Sequence, residues 1–390
     1  MTPTSLNRRS LLTGSLALGA AGLAWPRMAF AQTAGTKNLL LVVLRGAADG
    51  LAMLAPTGDS GFSALRGAAL RDYDNAVKAD GMFAIHPSFE AIGSEYAKGN
   101  ALFVHATATG YRERSHFDGQ NMLETGGAKP YATRDGWLNR LAGLVGEGAA
   151  GNPRALAIAP TLPLALRGAA PASSYAPSSL PEASQDFLER VSLLYQNDDQ
   201  LGELWSRALK TQEMAGDSSL RNLRDAKAAG KLAASLMTGA EGARIAMIEL
   251  NGWDTHANQR AAFARHASTL DTLLGAYRTG RGDAWSSTMV LVATEFGRTA
   301  RYNGTNGTDH GTASATLVMG GALRGGRVIA DWPGLAPNAL YQGRDLKPTI
   351  ALESVLAGAA AEHLGLDPVL AMTRLFPGRS AKPVGGFVRS

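Results

Sequence analysis

The chain of 390 residues contains no cysteine. This absence excludes disulfide bonds, thiolate metal sites, iron–sulfur clusters and covalently attached haem. Any metal ion must therefore be held by histidine, carboxylate or backbone oxygen atoms. Beyond the N-terminus the chain also lacks an apolar run that approaches the roughly 20 residues needed to span a bilayer, so we expect no stable membrane anchor.

The chain has little net charge once its N-terminal segment is set aside. The formal charge is +5 at pH 7, but residues 1–31 contain three arginines and no acid, so the remainder carries +2. A protein so close to neutrality gives no compositional reason to expect nucleic acid as a partner.

The N-terminal segment has the pattern of an export signal. Arg8 and Arg9 precede a moderately apolar region, residues 11–25, and Ala29-Phe30-Ala31 supplies a small-x-small cleavage site. We predict that residues 1–31 are a twin-arginine signal peptide, which makes the twin-arginine translocation machinery a partner and the mature protein periplasmic or secreted. Residues 32–390 are then expected to form a single α/β domain.

Five apolar runs rich in β-branched residues predict central strands of that domain. They are residues 38–44, 101–106, 243–250, 289–293 and 315–319. Between them, residues 60–80 are expected to form a surface helix and loop. Residues 170–240 begin with a stretch rich in Ala, Pro and Ser and continue with apolar residues at helical spacing, which predicts a helical insertion.

Two of these strands are followed directly by residues suited to chemistry. The run 289–293 leads to Glu295 and Arg298, and a loop of Asn, Gly and Thr then delivers Asp309 and His310. The run 243–250 leads in the same way to Asp254 and His256. Because open α/β sheets bind ligands beyond the carboxyl ends of their strands, we expect a site here. Carboxylate and imidazole ligands suit a hard or borderline divalent cation.

Asp49 follows the first predicted strand, among glycines and alanines. It is either a carboxylate placed at the edge of the sheet for a ligand or an ordinary turn residue before glycine.

Ser115 stands at the start of a predicted helix, between Arg112, Arg114 and the acid Asp118. It either caps the helix only, or caps it and also serves as a nucleophile. The second interpretation is physically consistent because a helix N-terminus flanked by guanidinium groups attracts phosphate or sulfate.

Three further histidines are expected to have ordinary structural or surface roles. His86 precedes a proline in a loop, and His105 lies inside a predicted strand as a hydrogen-bonded core residue or a support for the site. His363 lies on the closing helix and is expected to be an ordinary surface residue.

Five motifs in this order, LVVLRGAADGL, RSHFDGQNMLETG, NGWDTHANQ, ATEFGRT and GTDHG, resemble the bacterial domain-of-unknown-function family numbered fifteen hundred and one. That family is placed in the alkaline phosphatase and sulfatase superfamily. The resemblance implies an alkaline-phosphatase-like α/β fold, with a largely parallel central sheet and helices on both faces. It also implies one or two divalent metal ions, with Zn, Mn, Mg and Ca as the candidates.

Site residues carry over from the resemblance position by position. Asp49 resembles the acid that bridges the metals and Ser115 the nucleophile; the metal ligands are Asp254, His256, Glu295, Asp309 and His310. Phosphatases of this group have another metal-binding histidine late in the chain, where this sequence has only His363. The metal position is then either incomplete, or completed by His116 or His86.

Three functions remain open from the sequence. The first is a metal-dependent hydrolase that cleaves a small anionic ester of phosphate or sulfate through Ser115, with Arg45, Arg114 or Arg298 binding the anionic oxygens. The second is a catalytically inactive metal-binding protein of the cell envelope that acts as a partner or assembly factor. The third is a structural envelope component whose polar residues only hold loops together.

Overall fold

The computed structural model describes residues 37–146, 155–177, 183–215 and 223–389. The predicted signal peptide, residues 1–31, lies outside the described residues and stays a prediction. Among the described residues, no helix is both long and apolar enough to span a membrane.

A nine-stranded mixed sheet forms the centre of the described structure. Its strands are β1 (Asn38–Leu44), β5 (Ala101–Ala108), β6 (Ala155–Ile158), β7 (Ala172–Tyr175), β8 (Ile245–Leu250), β9 (Thr288–Ala293), β10 (Ser314–Gly320), β11 (Val328–Ile329) and β12 (Ile350–Ala351). Three short strands, β2 (Leu54–Ala55), β3 (Lys78–Ala79) and β4 (Phe83–Ile85), form a separate small sheet.

The main sheet is largely parallel. Its order is β11-β5-β10-β9-β1-β8-β6-β7, and β12 pairs with β5. β1 runs parallel to both neighbours, with Leu40 opposite Ala246 of β8 and Val290 of β9. β10 is the exception, since it runs antiparallel to β5 and β9. The five predicted central strands are therefore confirmed.

Helices cover both faces of this sheet. The α-helices of the described residues are α1 (Gly50–Met53), α2 (Ser60–Leu70), α3 (Glu90–Ala97), α4 (His116–Thr125), α5 (Trp137–Val145), α6 (Gln185–Tyr195), α7 (Asp199–Ala215), α8 (Ala226–Leu236), α9 (Gln259–Arg281), α10 (Leu352–Leu364) and α11 (Pro368–Leu375). Successive residues of β1 point to opposite faces, as the strand period requires. Leu40, Val42 and Leu44 pack in one core with α3, α8 and α9, whereas Leu39, Leu41 and Val43 pack in the other with α5, α10 and α11. The predicted α/β architecture is confirmed.

The range 170–240 contains the helices α6, α7 and α8, and also the edge strand β7, which pairs with β6. α8 packs against α9 within the helical layer of one face.

The expectation for His363 is wrong, and one residue of the expected surface helix is buried. Arg66, within the stretch expected to be a surface helix and loop, is 1% exposed. His363, expected at the surface, is 2% exposed, and its Nε2 lies 2.9 Å from the carbonyl oxygen of Asn38. The reasons differ. Arg66 lies on the inner side of α2, whereas Ala64 and Gly67 of the same helix are exposed. α10 is covered on its outer side by the C-terminal segment, where the backbone N–H of Val384 donates to the carbonyl oxygen of Ser354 at 3.0 Å.

The sheet brings four connections to one edge. β1, β5, β8 and β9 all point in the same direction, so their carboxyl ends lie together. β10 is antiparallel and starts at that edge, so the connection after β9 is also the loop that precedes β10.

Candidate metal centre

Three of these connections bring four side chains into contact. The connection after β5 ends at His116, the first residue of α4; the connection after β8 carries Asp254 and His256; the loop before β10 carries His310. We call these four residues the His/Asp cluster. Three of them, His116, Asp254 and His310, offer ligand atoms that all lie within 4.8 Å of one another.

The ring nitrogens of the three histidines point at each other. His310 Nε2 lies 3.0 Å from His116 Nε2 and 3.1 Å from His256 Nε2. Asp254 Oδ1 lies 3.1 Å from His310 Nε2 and 2.9 Å from His256 Nε2, and Asp254 Oδ2 lies 3.4 Å from His116 Nε2. The ligand atoms of His116, Asp254 and His310 therefore form a compact group, and His256 Nε2 adjoins it through His310 and Asp254.

The opposite nitrogen of each ring faces an acceptor outside the cluster. Nδ1 lies 2.8 Å from Glu295 Oε1 in His116, 2.9 Å from the carbonyl oxygen of Arg114 in His310, and 3.3 Å from Asp309 Oδ1 in His256. Carboxylate and carbonyl oxygens only accept, so the tautomer with the proton on Nδ1 satisfies all three of these contacts. In neutral rings of that tautomer the Nε2 lone pairs face each other and the Asp254 carboxylate, an arrangement that is repulsive without a positive charge between them.

This donor set fits a divalent cation. A tetrahedral zinc site with bonds of about 2.0–2.1 Å places its ligand atoms about 3.3 Å apart, which is close to the separations of 3.0–3.4 Å among His116, Asp254 and His310. Histidine ligands in metal sites regularly donate their other ring proton to a carboxylate or carbonyl oxygen, and all three histidines do so here. Imidazole suits zinc, copper, iron and nickel better than magnesium or calcium.

Charges around the cluster shift the pKa values of its members in opposite directions. The hydrogen bond to Glu295 raises the pKa of His116, whereas burial, reinforced by the charge of His116, lowers the pKa of His310. Burial works to raise the pKa of Asp254, but the hydrogen bond and charge of Arg298 outweigh it and the pKa is lowered. Asp254 is therefore anionic at neutral pH, and His116 binds a proton more readily than His310. Because a cation must displace that proton, metal affinity is expected to fall at low pH.

Glu295 lies behind His116, and it is fully buried. Besides His116, its Oε1 accepts hydrogen bonds from the backbone N–H of Gly46 at 2.9 Å and from Gln120 Nε2 at 3.2 Å. Gly46 is required at its position, because its φ is +112° and a Cβ there would lie 2.5 Å from the backbone nitrogen of Asp254. The β1 loop thus fixes both the carboxylate that orients His116 and the segment that carries Asp254.

Asp309 orients His256 from the solvent side. Its Oδ1 also accepts a hydrogen bond from Asn303 Nδ2 at 3.1 Å, and this bond is the main cause of its lowered pKa. The structure therefore brings Asp254, His256 and His310 together as predicted, and it places Glu295 and Asp309 one hydrogen bond further out, against the ligating rings.

Asp49 makes different contacts. It is 1% exposed, forms an ion pair with Arg66 and accepts a hydrogen bond from the side-chain amide of Gln259. Its other oxygen accepts the backbone N–H of Leu51 at 3.1 Å, which caps α1. Among the described residues it has no hydrogen bond or ion pair with a histidine.

The arginines predicted to bind an anion have protein partners. Arg298, 1% exposed, donates to Asp254 Oδ1 at 2.6 Å and to Thr308. Arg114 is paired with the buried Asp345 at 2.8 Å. Arg45 lies between Glu124 and Glu249. Each of these arginines therefore holds an acidic side chain in place.

Ser115 is the N-cap residue of α4 and immediately precedes His116. Its hydroxyl does not accept a hydrogen bond from the first turn of the helix, so the usual capping role does not account for it. The predicted nucleophile therefore lies next to the cluster in the chain, at a helix N-terminus.

His116 was only one of two candidates for the missing ligand, and the structure distinguishes them. His86 is buried and accepts the backbone N–H of Ser88 at 3.2 Å. His105 is buried as well, and its Nε2 lies 2.9 Å from the carbonyl oxygen of Leu54. Neither contacts the cluster within the described ranges. The sequence signal for His116 was its place beside Ser115 after a central strand.

The cluster is open to solvent on one side. The side chains of Asp254 and His256 are 41% and 49% exposed, whereas those of His116 and His310 are 23% and 26% exposed. A small molecule can therefore approach from the side of Asp254 and His256.

The fold and this geometry define an α/β protein with a strand-end His/Asp cluster able to hold a metal ion. The chain belongs to the family described as "Protein of unknown function (DUF1501)", whose model matches residues 75–372. No curated protein matches the sequence significantly.

Solved structures with some likeness to this chain are enzymes. Alkaline phosphatase from the Antarctic bacterium TAB5 is 12% identical with a TM-score of 0.36, and the match covers 73% of this chain and 92% of that one. Phosphonate monoester hydrolase of Agrobacterium radiobacter is 12% identical with a TM-score of 0.37, covering 85% and 74%. The lipoteichoic acid synthase LtaP from Listeria monocytogenes is 10% identical with a TM-score of 0.37, covering 87% and 74%. At these values the likeness assigns no activity, and the architecture rests on the chain's own sheet.

Proposed function

We propose that this chain is an exported metal-dependent hydrolase that cleaves small phosphate or sulfate esters, with Ser115 as the nucleophile. The observation that carries the proposal is the convergence of three histidine Nε2 atoms on Asp254, each ring held by an acceptor on its far side. Such a set is costly to assemble without a cation, because the nitrogens repel each other and lose contact with water.

His116, Asp254, His256 and His310 would hold the cation. When bound, a divalent cation supplies Lewis acidity, which polarises an ester oxygen and favours ionisation of an oxygen nucleophile beside it. Glu295 and Asp309 keep the rings of His116 and His256 in the tautomer that presents Nε2. Arg298 keeps Asp254 anionic and aligned.

The reaction we propose has two displacements. The Ser115 oxygen forms a bond to phosphorus or sulfur, the ester bond to the organic group breaks, and the hydroxyl proton ends on the leaving alcohol. Water then attacks the serine ester, which releases phosphate or sulfate and restores the hydroxyl group. The backbone N–H groups at the start of α4 are oriented to bind the anionic oxygens, as helix N-termini commonly do.

A catalytically inactive metal-binding protein of the cell envelope, acting as a partner or assembly factor, is the second candidate. It is favoured by the engagement of Arg45, Arg114 and Arg298 with acidic side chains, which leaves the anion fewer cationic partners. It is also favoured by the pairing of Asp49 with Arg66, because that acid would otherwise bridge a second metal ion.

The test is metal analysis together with turnover of 4-nitrophenyl phosphate and 4-nitrophenyl sulfate by the purified mature protein. We expect about one equivalent of metal, its loss in His310→Ala, and its retention with loss of turnover in Ser115→Ala. His266→Ala, which changes a histidine outside the cluster, is the matched control and should behave as wild type. Metal with no turnover in any variant would support the inactive candidate, and no metal after reconstitution would refute both.

A further inference from the structure

A cavity of about 290 Å³ adjoins the His/Asp cluster on the side of Asp309. Leu65, Leu335 and Leu340 give it an apolar lining, and Arg301 and Arg344 line it as well. We call it the Asp309 cavity. Its volume is close to the lower limit of about 300 Å³ for small-molecule sites. An apolar lining with a few charged groups is also typical of such sites.

One side chain separates this cavity from the cluster. Asp309 lines the cavity, and its Oδ1 lies 3.3 Å from His256 Nδ1. Arg344 also belongs to both, since it lines the cavity and its Nη2 donates to the carbonyl oxygen of His310 at 2.9 Å. A molecule whose anionic end sits at the cluster can therefore extend its other end into the Asp309 cavity.

The cavity is built on fixed groups. Buried Arg66 donates to the carbonyl oxygens of Thr299 and Ala300 at 2.7 and 2.9 Å, and its guanidinium lies 5.0 Å from the centre of the Tyr302 ring. On the opposite wall, the backbone N–H of Leu335 is held by Asp59 Oδ2 at 3.1 Å. A wall that does not need to be ordered on binding costs less conformational entropy.

The charges at the rim favour a second anionic group. Arg344 Nη1 forms an ion pair with Oδ1 of the buried Asp345 at 3.3 Å. Asp309 accepts a hydrogen bond from Asn303 and lies against His256 Nδ1. Arg301 is exposed, and in the described part of the chain its guanidinium has no ion pair or hydrogen bond. Arg301 is thus the rim cation free to bind a ligand, and a guanidinium binds a carboxylate through two hydrogen bonds.

We propose that the Asp309 cavity binds the organic group of the ester and selects phosphate or sulfate monoesters whose organic group is apolar and ends in a further negative charge. This inference rests on the proposed function, because it places the phosphate or sulfate group at the His/Asp cluster. It assigns Leu335 and Leu340 to contact with the apolar part and Arg301 to the terminal charge.

The test uses three inert analogues titrated calorimetrically into the protein loaded with Zn²⁺: methylphosphonate, phenylphosphonate and 4-carboxyphenylphosphonate. We expect phenylphosphonate to bind roughly tenfold more tightly than methylphosphonate, because its ring is buried against leucines. The carboxylate should add a further gain of about threefold to tenfold through Arg301. Arg301→Gln should remove only the gain from the carboxylate, and Leu340→Ala should reduce only the gain from the ring. Arg374→Gln, an exposed arginine on α11, is the control and should change neither.

The outcomes separate this inference from the proposed function. Equal affinities for the three analogues, or gains that survive Arg301→Gln and Leu340→Ala, would overturn the cavity assignment while leaving anion binding at the cluster intact. If methylphosphonate does not bind but 4-carboxyphenylphosphonate binds in a manner that requires Arg301, the cavity is supported and the anion site at the cluster is not. If none of the three binds, both are overturned.

Discussion

Replacing Asp49 by asparagine distinguishes a structural ion pair from a metal ligand. The resemblance to phosphatases makes this carboxylate a bridge between metal ions, whereas the structure places it against Arg66, with both side chains 1% exposed. Burial works to lower the pKa of Arg66, but the charge of Asp49 outweighs it and the pKa is raised. We therefore expect Asp49→Asn to destabilise the fold and to leave the metal content unchanged.

The magnitude follows from the burial of the pair. Removing one partner of a buried ion pair costs about 3–5 kcal/mol, because the other charge is left uncompensated. Asparagine keeps one acceptor oxygen for Arg66 and Gln259, so we expect the lower end, about 3 kcal/mol. A domain of about 350 residues unfolds with an entropy of about 0.7 kcal/mol per kelvin near its Tm, so the Tm should fall by about 4 °C.

Scanning calorimetry and metal analysis of the same preparation make the measurement. The control is Asp72→Asn, which breaks an exposed ion pair with Arg260 and should change the Tm by about 1 °C or less. In the double variant Asp49→Asn/Arg66→Gln the uncompensated charge is gone, so part of the lost stability should return. An unchanged Tm accompanied by the loss of a metal equivalent would refute the ion-pair reasoning and restore Asp49 as a ligand.

Two further predictions concern the support of the cluster and its stability in acid. Glu295→Gln should keep metal at saturation but weaken its affinity by about 10- to 100-fold, because His116 loses the carboxylate that orients it; competition with a chelator measures this, and unchanged affinity would contradict it. Burial lowers the pKa of His86, His105 and His363 from 6.5 to about 4. Their neutral forms contribute stability that is fully present above pH 6.5 and is lost as the pH falls from 6.5 towards 4, by up to about 3 kcal/mol each. Urea unfolding at pH 7 and pH 5 measures this loss, which should be smaller in His363→Gln, and equal stability at both pH values would refute it.

The central strands were predictable because strands buried on both faces carry continuous apolar residues. β1 has the sequence NLLLVVL, in which every residue is buried and the last six are apolar, as is typical of a strand in a parallel sheet. The position of the site followed from the same signal, since Asp254, His256 and His310 all follow or precede a central strand. The strands could therefore be predicted from local sequence. The edge of the sheet at which the candidate site lies could be predicted from the general topology of α/β sheets.

The contacts of Asp49 and His116 were not predictable, because they depend on residues distant in the chain. Arg66 has no special sequence context, and only the folding of α2 over the sheet edge buries it against Asp49. His116 competed with His86 as the missing ligand until the positions of α4 and the His310 loop were known. Sequence patterns indicate whether a strand or helix is buried. The partner of a buried charge depends on tertiary contacts between residues distant in the chain, which those patterns do not show.

Asp49 and Asp254, the two acids that follow central strands, differ in exposure and in partners, and this difference limits the number of cations that the protein can bind there. Asp49 and Asp254 each lie against a buried guanidinium, Arg66 and Arg298 respectively. Asp49 is almost fully enclosed and has its oxygens taken up by Arg66, Gln259 and a backbone N–H, whereas the side chain of Asp254 is 41% exposed and faces three histidine nitrogens. A second cation near Asp49 would have to displace Arg66 from the protein interior. One cation at the His/Asp cluster, oriented by Glu295 and Asp309, is therefore the occupancy that this arrangement favours, and a protein with two bound equivalents would require Arg66 to move.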